Sequence, residues 1–225
     1  MKTVFLTGVP GSRWGRLEWI IRDNSPIVDQ SSWLQHNQDN PENSTEHYHR
    51  FYGPYHNYGE MFDVMHLMGP DAVMNEIERS YSKPQPEHKV RFVRCHWFAY
   101  QLDWIKENLP EVDILMMMRE PIQSLNWWLE SGGWDIEYPN YNWYSNSQNM
   151  RRQIMIENAC MEKFIRENDL KMNYPVAEAP QWIKANWPEL EKHLPNNNTY
   201  HEYLIKPSDH TLFPVLYKGK ESCSI

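Results

Sequence analysis

His96 is the side chain that the sequence places best to act as a general base. It follows the run Val90 to Cys95, which is predicted to form a buried β-strand. Ligands of open parallel sheets bind at the carboxyl ends of the strands, and histidine exchanges a proton near neutral pH. Arg94, two residues earlier, is close enough to help bind an anionic group. The chain contains 10 histidines, most of which must be surface or packing residues, and its position at a strand end distinguishes His96.

Arg119 is a second candidate, at the end of another predicted strand. It directly follows the run Val112 to Met118, which is the clearest buried strand of the sequence. An arginine at such an edge can bind a phosphate through two parallel hydrogen bonds. Ser124 can donate a further one from the first turn of a helix that begins at Pro121. The alternative is that Arg119 pairs with Glu120 or another acid and only closes the sheet edge.

A turn near the amino terminus has the composition of an anion site. It follows the predicted strand 3–7 and opens a predicted helix, Arg13 to Arg22. Unpaired backbone N–H groups and the helix dipole favour phosphate or sulfate there. The candidate residues are Pro10, Gly11, Ser12, Arg13, Trp14, Gly15 and Arg16. A magnesium-dependent ATP loop would need Gly and Lys where Arg13 and Trp14 stand, which argues against a kinase. The alternative is a turn that binds no ligand.

The elements that must position these residues alternate along the chain. Helices are predicted at Tyr100 to Asn108, from Pro121 onwards and at Gln148 to Asn168, with a short strand near 170–176 and a helix at 181–193. Strands alternating with helices predict an α/β fold with three layers and a mainly parallel central sheet. We expect one domain over residues 1–225, in which residues 24–88 are loop-rich and bind the acceptor substrate.

Taken in order, the three motifs resemble those of the sulfotransferases that use 3′-phosphoadenosine 5′-phosphosulfate (PAPS). That family binds the 5′-phosphosulfate with a Gly-Val-Pro-(Arg/Lys)-Ser-Gly-Thr turn, which is similar to residues 8–14 here. Its cytosolic branch has a Lys-Thr-His motif, whose counterpart is Arg94-Cys95-His96. Its Arg-(Asp/Asn/Glu)-Pro motif, which grips the 3′-phosphate, resembles Arg119-Glu120-Pro121. The resemblance covers roughly residues 2–132 and implies a P-loop NTPase-like sulfotransferase fold.

The resemblance also implies a reaction and a set of roles. The sulfuryl group would pass from PAPS to a hydroxyl or amine of a small-molecule or glycan acceptor, releasing 3′-phosphoadenosine 5′-phosphate (PAP). His96 would be the base, assisted by Arg94, and no metal would be needed. The nucleotide would be held by residues 10–16 of the turn together with Arg119, Ser124 and Lys218.

Three positions depart from the family pattern. Gly11 stands where the family has a basic residue, so either Arg13 or Arg16 supplies the charge or the turn is shifted. A tryptophan, Trp127, stands where the family has a serine, which leaves Ser124 as the substitute. The late Arg-Lys-Gly segment of the family is matched only in part, by residues 217–219. A non-catalytic PAP- or PAPS-binding protein and a divergent P-loop phosphotransferase therefore remain as alternative functions.

Composition restricts the partners and the compartment. A net charge of -8 argues against nucleic-acid binding. The 3 cysteines have no paired spacing, so we expect neither a disulfide framework nor a zinc site. We therefore expect the protein to be in a reducing, cytoplasmic compartment. No stretch is apolar enough to span a membrane. The aromatic segments 47–66 and 134–144 are either the acceptor pocket or the interface of a homodimer.

Overall fold

The computed structural model describes residues 1–12, 26–29, 60–80, 85–130, 146–171, 188 and 213–220. The strands among these residues are β1 Lys2–Gly8, β2 Val90–Arg94, β3 Asp113–Met118 and β4 Phe213–Tyr217. The first three coincide with the predicted strands, and their residues are almost completely buried. The nearly continuous apolar runs of β1 and β3 are typical of strands covered on both faces of a parallel sheet, whereas β2 also contains the buried Arg91 and Arg94.

The four described strands form one sheet in the order β2-β1-β3-β4. The central strand β1 is parallel to both neighbours, with Leu6 opposite Arg94 of β2 and Gly8 opposite Met117 of β3. The edge strand β4 is antiparallel to β3, with Tyr217 opposite Ile114. The prediction of an α/β fold with a mainly parallel sheet is therefore confirmed, whereas the antiparallel strand was not predicted.

Helices fill the connections between the described strands. They are α1 Met65–Met68, α2 Pro70–Ser80, α3 Leu102–Asn108, α4 Pro121–Glu130 and α5 Ser147–Glu167, with 3₁₀ helices at Glu60–Val64 and His96–Tyr100. The helices predicted at Tyr100, Pro121 and Gln148 are confirmed within a few residues. The predicted helix 13–22 lies outside the described residues, and so does most of the strand 170–176 and of the helix 181–193.

Residues 60–80 correct the expectation that the whole segment 24–88 is rich in loops. Pro70 occupies the first position of α2, where its missing N–H costs nothing. Val73 and Ile77 follow one turn apart and are both completely buried. This apolar stripe stabilises the helix although the sequence around it is polar. The remainder of the segment is described only at 26–29 and 85–88.

The core described by the structure lies on one face of the sheet. Phe5 of β1 stacks on Phe98 with ring centroids 4.3 Å apart, and Phe62 packs against the same ring at 5.3 Å. Side chains on the opposite face are buried as well, namely Val4, Leu6, Leu115 and Met117. The described residues do not show what covers this second face, so the three-layer arrangement stays a prediction. No helix of the described part of the chain is both long enough and apolar enough to cross the membrane.

The longest described helix, α5, crosses behind the site and is fixed at its start. The side chain of Asn146 accepts a hydrogen bond of 2.9 Å from the backbone N–H of Asn149, which caps the helix. Its buried stripe contains the apolar residues Met150, Ile154, Met161, Phe164 and Ile165, but also Glu157 and Asn158. Two polar side chains on a buried helical stripe require partners, and both face the edge of the sheet described next.

Candidate functional site

The carboxyl ends of β1, β2 and β3 bring the three sequence motifs to one edge of the sheet. Arg119, directly after β3, donates a hydrogen bond of 3.0 Å from Nη1 to the carbonyl oxygen of Gly11, in the turn after β1. On the other side of β1, the hydroxyl of Thr7 donates to the carbonyl oxygen of His96 at 3.4 Å. The parallel pairing of β1 with both neighbours makes this convergence unavoidable, because all three chains leave the sheet in the same direction.

Gly11 lies in very close contact with the start of α4. Its φ is +78°, and a Cβ atom added there would come within 1.9 Å of the carbonyl oxygen of Ser124. The backbone N–H of Ser12 donates to the carbonyl oxygen of Val9 at 3.0 Å, which closes the turn. The position therefore accepts only glycine.

Two serine hydroxyls are buried beside Arg119. Ser12 and Ser124 are both completely inaccessible to solvent, and neither Oγ atom has a hydrogen-bond partner among the described residues. Leaving a buried hydroxyl without a partner costs about 1–3 kcal/mol. Arg119, which is itself buried, has five N–H groups, of which one reaches Gly11. Hydroxyl donors and a guanidinium around one turn are groups that fit a phosphate or sulfate oxygen.

The residues that flank Arg119 each have a defined contact. The carboxylate of Glu120 accepts a 2.9 Å hydrogen bond from the backbone N–H of Gln123, so it caps α4. The guanidinium carbon of Arg119 lies 5.8 Å from the ring centre of Trp127. Trp127 thus packs against the guanidinium of Arg119.

His96 lies on the other side of β1 and faces α5. Its side chain is 21% exposed, and its Nδ1 atom lies 3.6 Å from Oε2 of Glu157, a carboxylate with 1% of its side chain accessible. Oε1 of the same carboxylate accepts a hydrogen bond of 2.8 Å from Nε2 of Gln153, which also donates to the hydroxyl of Tyr100. The histidine therefore has one ring nitrogen directed at a buried acid and remains accessible to a substrate.

The buried carboxylate also affects the neighbouring acidic groups. Burial, followed by the negative charge of Glu157, raises the pKa of the Tyr100 hydroxyl far above its usual range. The same two causes raise the pKa of the Cys160 thiol. Both groups therefore stay protonated at neutral pH.

Arg94 and the remaining residues of the turn are either buried or outside the described part of the chain. Arg94 is the last residue of β2; it is 3% exposed and pairs with Leu6, and no described contact joins it to His96. Its predicted assistance to the base stays a prediction. Pro10 is buried in the turn, whereas Arg13, Trp14, Gly15 and Arg16 lie outside the described residues.

The structure places Lys218 away from Arg119 and the turn, so its predicted contact with the nucleotide stays a prediction. Lys218 forms an ion pair of 3.5 Å with Asp113, the first residue of β3. Arg119 follows the other end of β3, roughly 20 Å away at about 3.3 Å per residue. Because β4 is antiparallel to β3, the residue that follows β4 lies at the amino edge of the sheet. With Lys2, which pairs with Asp113 at 2.9 Å, Lys218 balances a buried carboxylate there.

Sequence reasoning missed the residues that α5 supplies. Asn158 donates a hydrogen bond of 2.7 Å from Nδ2 to the carbonyl oxygen of Arg119, while the adjacent Glu157 faces His96. One signal was present in the sequence: both polar residues interrupt the apolar stripe between Ile154 and Met161. Among the described residues, no group of three or more His, Cys, Asp or Glu side chains is arranged to hold a metal ion.

Comparison of the chain with protein-family models, with curated proteins and with solved structures finds no match in any of the three.

Proposed function

We propose that the chain is a metal-independent sulfotransferase that uses PAPS and has a P-loop NTPase-like sulfotransferase fold. One observation carries the proposal: Arg119 is hydrogen-bonded to Gly11, beside the buried hydroxyls of Ser12 and Ser124, at the sheet edge that also bears His96. An anion site next to an accessible histidine supports transfer of an anionic group rather than hydrolysis at a metal. The order of the motifs along the chain supports PAPS as the donor.

Each side of the site would have its own task. The turn with Ser12 would hold the 5′-phosphosulfate, and Arg119 with Ser124 would hold the 3′-phosphate, which distinguishes PAPS from adenosine 5′-phosphosulfate. His96 would take the proton of the acceptor hydroxyl or amine. Arg13 and Arg16 of the turn, and Arg94, would add positive charge.

The proposed reaction balances without a further reagent. PAPS supplies the sulfuryl group: the acceptor oxygen forms a bond to sulfur while the bond from sulfur to the phosphate oxygen breaks, and PAP leaves with the electron pair. His96 holds the proton of the acceptor and returns it to solvent after the transfer. The backbone N–H groups of the turn and the neighbouring arginines stabilise the negative charge that develops on the leaving oxygen.

The first experiment is isothermal titration of the metal-free protein with PAP, with AMP and ATP–magnesium as controls. We expect PAP to bind and the two controls to bind far more weakly. Arg119→Ala should weaken PAP binding about tenfold to a hundredfold, because hydrogen bonds to charged groups contribute about 1.5–3 kcal/mol. The matched control is Arg166→Ala, an exposed arginine of α5. If ATP–magnesium binds and PAP does not, the sulfotransferase proposal is wrong and the divergent P-loop phosphotransferase takes its place.

The second experiment separates an enzyme from a binding protein. Transfer of labelled sulfate from PAPS is measured with a panel of phenols, sugars and amines. His96→Ala should lower the rate about 10²–10⁴-fold, the usual contribution of a general base, and leave the affinity for PAP unchanged. His66→Ala, an exposed histidine of α1, is the control. PAP binding without transfer to any acceptor would instead favour the non-catalytic binding protein.

A further inference from the structure

Glu157 is a buried carboxylate whose surroundings are unusual for an acid. The residue has no solvent-accessible surface. One of its oxygens accepts a hydrogen bond from Gln153, and the other lies 3.6 Å from Nδ1 of His96. Removing a carboxylate from water is expensive, and a protein keeps one in place when N–H donors or a cation face it. The imidazole of His96 is the group that faces the second oxygen.

We propose that Glu157 is a positioning residue that holds the proton of the neutral His96 ring on Nδ1. An ionised carboxylate only accepts hydrogen bonds, so the nitrogen that faces it must be the one that carries hydrogen. Nε2 then carries the lone pair of the ring and is the nitrogen that can take the proton of an acceptor substrate. A movement of about 0.7 Å would convert the 3.6 Å separation into an ordinary hydrogen bond. The inference rests on the proposed function for the role of Nε2, but the tautomer can be measured without it.

Gln153 fixes which oxygen of the carboxylate is available to the histidine. Its side-chain nitrogen has two hydrogens, and these are directed at Tyr100 and at Oε1 of Glu157. Oε2 is therefore the oxygen left for His96. Tyr100 ends the 3₁₀ helix that His96 begins. The contacts thus join both ends of that short helix to the same turn of α5, which restrains the ring of His96 relative to the carboxylate.

The isosteric substitution Glu157→Gln gives the inference a sharp consequence. Gln153 would still donate to the carbonyl oxygen of the new amide, so the NH₂ group would be the part that faces His96. A donor at that point requires Nδ1 to be an acceptor, and the proton of the ring must then move to Nε2. A carboxylate with a merely structural role would leave the tautomer unchanged. The substitution should therefore invert the tautomer of His96 with almost no change in shape.

The test is a long-range proton–nitrogen correlation spectrum of protein labelled with ¹⁵N-histidine, recorded at pH 8.5, where neutral imidazole dominates. His96 is assigned from the signals that disappear in His96→Asn. In the wild type we expect the Nδ1–H tautomer, and in Glu157→Gln the Nε2–H tautomer. Glu162→Gln, an exposed position on the same helix, is the control and should leave His96 unchanged. An Nε2–H tautomer in the wild type, or an unchanged tautomer in Glu157→Gln, overturns the inference.

The wild-type spectrum decides the matter even if Glu157→Gln does not fold. Steady-state kinetics add a second readout, namely kcat and KM for PAPS. They are measured with an acceptor taken from the panel of phenols, sugars and amines. Glu157→Gln should lower kcat about 10²-fold or more, because the base then presents a hydrogen in place of its electron pair, and should leave KM for PAPS unchanged. A raised KM with unchanged kcat would contradict the positioning role. Inversion of the tautomer in a protein that does not bind PAP would uphold the inference and refute the sulfotransferase proposal.

Discussion

At the scale of single residues, Gly11 shows how tightly the turn and the first turn of α4 are packed. A methyl group there would meet the carbonyl oxygen of Ser124 at 1.9 Å, on a residue whose φ is +78°. We expect Gly11→Ala to lower the free energy of unfolding by about 2–4 kcal/mol, the sum of a left-handed backbone and an overpacked contact. Urea denaturation measures the change. Gly69→Ala, at a φ of +81° and a ψ of 159° with open space around it, reports the cost of a glycine-only backbone without a packing contact. Unchanged stability in Gly11→Ala would mean that the turn and α4 can separate without cost.

Ser124 provides a test in which one substitution should weaken PAP binding without lowering the free energy of unfolding. Its buried hydroxyl lacks a partner among the described residues, so Ser124→Ala should leave the free energy of unfolding unchanged or raise it by about 1 kcal/mol. The same substitution should weaken PAP binding about tenfold, because a donor to the 3′-phosphate is lost. Calorimetry and urea denaturation of one preparation give both values. Ser147→Ala, an exposed serine at the start of α5, should change neither. Lost stability with unchanged affinity would identify Ser124 as a packing residue only.

At the scale of elements, α5 connects the two halves of the site. Adjacent residues of this helix contact the backbone of Arg119 and the ring of His96. Asn158→Ala should destabilise the protein by about 1–3 kcal/mol, since a buried carbonyl oxygen loses its donor. It should also weaken PAP binding, because the segment that carries Arg119 is then less restrained. Glu162→Ala, on the exposed side of the helix, controls for changes in helix propensity. Full PAP affinity in the destabilised variant would show that Arg119 does not depend on the helix.

The elements also show which parts of the fold the sequence can predict. The strands β1, β2 and β3 were predictable because each contains a cluster of apolar residues of strand length, although Arg91 and Arg94 interrupt β2. The edge strand β4 was not, since Pro214 interrupts its short run and its pairing depends on a segment about 100 residues away. Missing this strand had a consequence for the site. Lys218 was assigned to the nucleotide by sequence resemblance, but antiparallel pairing carries it to the opposite edge.

The residues of the candidate site also fall into those that the sequence can predict and those that it cannot. His96, Arg119 and the turn were predictable, because strand ends in a parallel sheet face the same edge. Glu157 and Asn158 were not, because only tertiary packing decides whether a polar residue on a helix faces solvent or the core. Adjacent polar residues within an apolar helical stripe, such as Glu157 and Asn158 in α5, are therefore candidates for partners of strand-end residues.

At the scale of the whole molecule, the buried tyrosine behind the site should make the protein less stable at alkaline pH. Burial and the charge of Glu157 raise the pKa of Tyr100 in the folded protein, whereas in the unfolded chain it returns to about 10. Above pH 10 the unfolded chain therefore releases a proton that the folded protein keeps. The stabilisation is present below pH 10 and is lost as the pH rises, at about 1.4 kcal/mol per pH unit from this residue. Tyr217 acts in the same direction, and so does Lys163, which pairs with Asp103 and Glu167.

Because several groups contribute to this decline, the measurement must be a difference between two proteins. Urea denaturation of the wild type and of Tyr100→Phe between pH 9 and pH 11 should give two curves that converge as the pH rises. The variant loses the hydrogen bond from Gln153 at every pH but has no hydroxyl to titrate. Tyr217→Phe serves as the comparison, since the ring of Tyr217 packs against Phe164 and its pKa is raised by burial and by Asp113 instead of Glu157. Parallel curves for the wild type and Tyr100→Phe would mean that neither burial nor the carboxylate of Glu157 raises the pKa of Tyr100 in the folded protein.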